Sequence, residues 1–96
     1  MIKTFATKTA EHLFHGIDSK HARKLHSTPH PKAQRLLDQL NAITRLDTLR
    51  VPPSNHLEKL SGDYKYFWSI RINQQWRVVF QWIEGDVYEV DIVDYH

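Results

Sequence analysis

Cysteine is absent from the 96 residues. That excludes a disulfide framework, a thiolate zinc site and a cysteine nucleophile, and it suits a reducing compartment. Glycine is scarce, with only Gly16, Gly62 and Gly85 widely spaced, so no glycine-rich loop can cradle a nucleotide phosphate. No uninterrupted apolar run exceeds Val78-Val79-Phe80, which leaves no spanning helix and no secretory signal core. The expectation is a cytoplasmic protein that does not contact a membrane. A chain this short has too little interior for two separate cores, so residues 1–96 are expected to form a single domain.

What is present fits a globular fold. The chain is 41% hydrophobic and 25% charged, and its three Trp, four Tyr and four Phe can anchor a core. Thirteen Lys and Arg face eleven Asp and Glu, but unevenly. Residues 1–50 hold nine cations and four anions (+5), whereas residues 51–96 hold four and seven (−3). Such a basic half can meet nucleic acid while the acidic half meets a basic partner.

Ile2 to Phe5 reads as a short edge strand. Thr7 can cap a helix over Lys8 to His15, in which Ala10, Leu13, Phe14 and Ile17 recur at helical spacing and Gly16 marks the end. The basic stretch Lys20 to Leu25 fits a short helical turn. A second helix is expected from Pro31 to about Arg45, with Ala33, Leu36, Leu37, Leu40 and Ile43 on its apolar face, and Pro52-Pro53 ends any continuation.

Beyond the prolines the period drops to two. Trp68, Ile70 and Ile72, then Val78, Phe80 and Trp82, then Tyr88, Val90 and Ile92 make a three-strand meander whose apolar set faces the helices. Three-residue loops at Asn73-Gln74-Gln75 and Glu84-Gly85-Asp86 set Ile70 opposite Val78 and Phe80 opposite Val90. The other face then gathers Arg71 beside Arg77, with Tyr95 one step along the last strand.

Two guanidiniums on adjacent strands suit a phosphodiester. On spacing alone a solvated sheet face, with Glu89 and Asp91 as ion-pair partners, accounts for them at least as well. Asp94-Tyr95-His96 combines an acid, a phenol and an imidazole able to exchange protons or stack on a base, although terminal residues are most often frayed. His56, Glu58, Lys59 and Lys65 flank the Gly62-Asp63 turn and can reach RNA, or stand in an ordinary exposed loop. Seven histidines raise a metal site, but His12 and His15 carry no HExxH pattern or carboxylate companion, and no metal or other cofactor is expected.

Linked motifs then resemble one family. Asn55-His56-Leu57-Glu58-Lys59-Leu60-Ser61-Gly62-Asp63, Trp68-Ser69-Ile70-Arg71 through Trp76-Arg77-Val78-Val79-Phe80, and Val93-Asp94-Tyr95-His96 resemble the HigB-like (plasmid maintenance killer) toxins of the RelE superfamily. Met1 to Phe5 and Leu13-Phe14-His15-Gly16 fit the same family. The resemblance implies a RelE-like α+β fold, with two or three helices packed on one face of a mainly antiparallel sheet. It implies a metal-independent endoribonuclease that cleaves mRNA in the ribosomal A site through attack of the ribose 2′ hydroxyl. Its implied partners are the ribosome and a HigA-like helix-turn-helix antitoxin, with operator DNA met only through the antitoxin.

Arg77 corresponds on this resemblance to the arginine of the Trp-Arg motif, and Asp94, Tyr95 and His96 to the catalytic ending. His96 is then expected to transfer the proton, Arg71 and Arg77 to stabilise the pentacoordinate phosphate, and Tyr95 to orient the RNA. RNA contacts are expected at His56, Lys59 and Lys65, and at Lys20, Arg23 and Lys24. Before the Gly-Asp turn some members carry histidine and lysine, where this sequence has Glu58 and Ser61. The competing class is a non-catalytic ribosome- or RNA-binding module that acts through its antitoxin.

Overall fold

Thr7 opens the first helix by accepting the Ala10 N–H on its hydroxyl (3.3 Å), and Gly16 closes it in the left-handed region at φ 69°. A computed structural model describes residues 1–24 and 30–94 of the chain. Helix α1 is Lys8–His15 and α2 is His30–Ala42. The second helix therefore stops earlier than its apolar spacing predicts. After Ala42 the chain tightens into a 3-10 turn, Leu46–Arg50, whose Leu49 is buried and whose Leu46 packs half-buried against the core.

Four strands, β1 (Glu58–Lys59), β2 (Trp68–Arg71), β3 (Trp76–Ile83) and β4 (Asp86–Asp94), form one antiparallel sheet in the order β1-β2-β3-β4. The expected meander is β2 to β4; β1 adds a two-residue edge that no periodicity could announce. The expected N-terminal strand is reduced to two parallel bridges, Ile2 with Val87 and Phe5 with Val90. Between them the Glu89 N–H turns instead to the Thr4 hydroxyl (2.8 Å).

Both helices cover one sheet face. Ala10, Leu13, Ala33, Leu36, Leu37 and Leu40 pack on Ile70, Ile72, Val78, Phe80, Val87, Val90 and Ile92. Val87 occupies the inward place expected for Tyr88, which is only half-buried. The β3–β4 turn causes the change. It has two residues rather than three, since Ile83 pairs with Asp86, and Glu84 (φ 51°) and Gly85 (φ 85°) both adopt the positive φ of a primed hairpin turn.

Left uncorrected, that shorter turn would direct Glu89 and Asp91 into the core. A bulge corrects it: between Val79 and Gln81 the register shifts, Glu89 takes φ 54°, and Val90 and Ile92 are returned inward. A left-handed non-glycine residue costs roughly 1–2 kcal/mol. Burying each of Val90 and Ile92 contributes about 1.5–3 kcal/mol, so the bulge prevails.

Candidate active site

The face away from the helices holds the candidate arginines, and part of it is covered. Pairing places Arg71 opposite Arg77 and Arg77 opposite Val93, with Ser69 between Glu58 and Val79 one step along. Ser69, Val79 and Arg77 are buried, because the segment from Asn55 to Leu60 folds over them. Neither Glu89 nor Asp91 pairs with Arg77 as the solvated alternative requires; Asp91 instead accepts the Thr7 hydroxyl at 2.8 Å.

Arg77 works as a strut. Its Nε donates to the Ser69 hydroxyl at 2.9 Å, its Nη2 to the His56 carbonyl at 2.6 Å, and its Nη1 lies 3.9 Å from the Glu58 carboxylate. The His56 carbonyl is aimed by a left-handed backbone (φ 47°) that ends the 3-10 turn Pro53–Asn55. That turn is itself fixed by the buried Asn55, whose amide donates to the Leu49 carbonyl at 3.1 Å. A strained residue held by a buried cation marks a place the fold over-determines, as functional sites often are.

Arg71 is more accessible. Its Nη1 meets His56 Nε2 at 3.3 Å and its Nε donates to the Asn73 carbonyl at 3.3 Å. The contact to the imidazole needs a free lone pair on Nε2, which places any ring proton of neutral His56 on Nδ1. Two guanidiniums, one imidazole and the half-exposed Glu58 carboxylate therefore share one patch of about one net positive charge. The arrangement can hold a phosphodiester and move a proton beside it.

Of the other expected residues, those in the described part of the chain lie apart from these arginines. Asp94 pairs opposite Trp76 on the alternate side of β4 from Val93, and its carboxylate accepts the Gln75 amide at 3.1 Å. That side of β4 is not the one that faces the arginines. Lys59 stands over the Trp68 ring (5.1 Å) and Lys65 over the Tyr66 ring (5.0 Å), both at the β1–β2 hairpin. Lys20 and Arg23 are exposed on the helix side, where Arg23 makes a two-pronged contact with Asp18 at 3.0 Å for each prong. Lys24 ends the 3-10 turn Ala22–Lys24. Tyr95 and His96 lie outside the described residues.

Sequence reasoning missed the supports, Ser69 and the His56 carbonyl, because nothing in the strand alternation distinguishes a buried serine from an exposed one. A cavity of about 210 Å³ bounded by Leu13, Ile17, Asp18, Ala22, His30 and Gln34 lies on the helix side, remote from the arginines. Among the described residues no group of three or more potential ligands could hold a metal ion, and no helix is long and apolar enough to cross a membrane.

The chain is similar to known proteins in sequence and in fold. Residues 3–96 match the family described as RelE-like toxin of type II toxin-antitoxin system HigB. An "Endoribonuclease HigB" of Proteus vulgaris is 35% identical over 100 aligned positions that span both chains in full. "Toxin HigB-1" of Vibrio cholerae is 40% identical over 68 residues, 71% of this chain and 72% of that one. In three dimensions the fold is similar to that of a YafQ variant from E. coli, with a TM-score of 0.68 and 16% identity over 98% of this chain and 91% of that one. It is also similar to a chain of the YoeB-YefM complex from Staphylococcus aureus, with a TM-score of 0.62 and 20% identity over 100% and 95%.

Proposed function

This chain belongs to the HigB-like family of RelE-like toxins from type II toxin-antitoxin systems, and we propose that it is an mRNA endoribonuclease acting in the ribosomal A site. The observation that carries the reading is the patch of Arg71, Arg77, His56 and Glu58 on the uncovered side of the sheet. The endoribonuclease name of the Proteus relative supports the reaction. The toxin-antitoxin complex among the similar structures supports a neutralising partner, proposed here as a HigA-like helix-turn-helix protein through which alone operator DNA is met.

In the proposed step the ribose 2′ oxygen attacks the adjacent phosphorus. A P–O2′ bond forms and the P–O5′ bond breaks; a base takes the 2′ proton and an acid returns one to the leaving 5′ oxygen. The products are a 2′,3′-cyclic phosphate and a 5′ hydroxyl, and the step is proposed to need no metal. Arg71, with two of its nitrogens engaged and its side chain only half-buried, is the phosphate clamp. Arg77, engaged at all three nitrogens, contributes its charge and holds the His56 loop. His56 and Glu58 are proton-transfer groups within the described patch, while the resemblance assigns proton transfer to His96 and RNA orientation to Tyr95.

Purified chain added to mRNA-programmed ribosomes tests this by the chemistry of the new ends. A 2′,3′-cyclic or 3′ phosphate upstream, with magnesium retained only for ribosome integrity, is expected. A 3′ hydroxyl with a 5′ phosphate downstream contradicts the mechanism. Deleting His96 should slow cleavage on the order of 10²–10⁴-fold while the fold is retained. The internal use of Arg77 also favours a second reading, a ribosome-binding module that blocks without cutting; it predicts intact mRNA in the same reaction.

A further inference from the structure

The β1–β2 hairpin ends in exposed aromatic residues that the proposed chemistry does not use. The Leu60 N–H bonds to the Phe67 carbonyl (2.9 Å), which continues the β1–β2 pairing towards the loop at residues 61–66. Alternation puts Phe67 on the same face as Ser69 and Arg71, roughly 13 Å from Arg71 at strand rise. The Tyr64 ring stands edge-on to Phe67, with centroids 5.3 Å apart at 90°, and is 38% exposed. Tyr66 is 67% exposed, and the Lys65 ammonium lies over its ring. A tyrosine that exposed contributes little to the core.

We propose that Tyr64 and Tyr66 form a nucleobase-stacking platform, a subsite for single-stranded RNA a few nucleotides from the phosphate held by Arg71. The proposal rests on the RNA-cleaving reading above. Its chemistry is stacking rather than phosphate attraction, because the loop is electrically balanced: Lys59 and Lys65 are offset by Glu58 and Asp63. Every base offers a π face, so aromatic rings on a rigid hairpin hold single strands with little sequence preference.

The test is titration of the full chain with a short single-stranded RNA, followed through the Tyr64 and Tyr66 ring resonances and by anisotropy of the labelled RNA. Both rings are expected to shift, and loss of one stacked ring to Ala to weaken binding about 5- to 150-fold. Tyr66→Phe and Tyr64→Phe should retain the affinity, because the ring and not the hydroxyl stacks. The Tyr64→Ala/Tyr66→Ala variant should keep the wild-type salt slope, and an abasic RNA should bind the wild-type chain as weakly as intact RNA binds that variant.

Ring resonances that do not respond to RNA overturn the proposal, as does a folded double variant with unchanged RNA affinity, including one that loses only antitoxin binding. Failure of the cleavage reading is separately visible: mRNA then stays intact on the ribosome with either chain, whatever the rings do in the titration.

Discussion

At the scale of single residues, Arg77 and Arg71 look alike in the sequence and differ in the fold. Replacing Arg77 by Ala withdraws donors from the Ser69 hydroxyl and the His56 carbonyl inside a buried site. An unsatisfied buried group costs about 1–3 kcal/mol, so Arg77→Ala is expected to lower stability in urea unfolding by about that much while also impairing cleavage. Alternation places this side chain away from Val78 and Phe80, and it is found there, but the segment folded over it buries it, so its loss is expected to cost stability as well as cleavage. Arg77→Lys should recover only part, since one ammonium cannot span both acceptors in the planar geometry of the guanidinium. Arg71→Ala leaves no such void; unfolding should change by no more than about 0.5 kcal/mol, and cleavage should fall roughly 10²–10³-fold. Equal stability losses in both variants would contradict the division of roles.

At the scale of elements, the β3–β4 hairpin shows what the sequence could and could not disclose. The pairing Arg77 with Val93 and Val78 with Ile92 follows from apolar alternation and is observed. Two departures cancel on the way to it: the turn is one residue shorter than read, and the bulge at Glu89 and Val90 restores the offset. Only Val87 and Tyr88, between turn and bulge, exchange places. Alternation reports the faces of regular strand and is blind to an irregularity that preserves the register beyond it. The same blindness hid β1, and with it the burial of Arg77, whereas the cross-strand arginine pair lay in regular strand and was legible. Gly85 tests the turn. A methyl group there meets nothing within 4 Å, so Gly85→Ala carries only the penalty of its φ of 85°, about 1–2 kcal/mol. Urea unfolding should show that loss with an unchanged core, and no loss would indicate a different turn.

At the scale of the whole molecule, exposed or partly exposed cations stand on both sides of the sheet. The arginine patch lies on one side and the exposed cations Lys20 and Arg23 on the other, so a single flat RNA surface cannot cover both. The proposed arrangement has mRNA on the arginine side and ribosomal RNA on the helix side. Arg23 is partly committed to Asp18, whose carboxyl it holds below the usual carboxylate range through hydrogen bonding and charge. A depressed native pKa means the pair helps above the unfolded value of Asp18 and is lost as pH falls through the native one. Fully exposed, it has little weight in stability, but near neutral pH it lessens the charge that Arg23 offers to a phosphate. Lys20→Ala/Arg23→Ala/Lys24→Ala should therefore reduce the salt dependence of ribosome association by less than three full contacts. Each phosphate contact adds roughly 0.7–0.9 to the slope of log affinity against log salt, so two effective contacts give a reduction of about 1.4–1.8. Sedimentation with ribosomes across a salt series reads that slope directly. Restoring Arg23 alone should return less of it than restoring Lys20 alone, and an unchanged slope in the triple variant would move the ribosome-binding surface off the helix side.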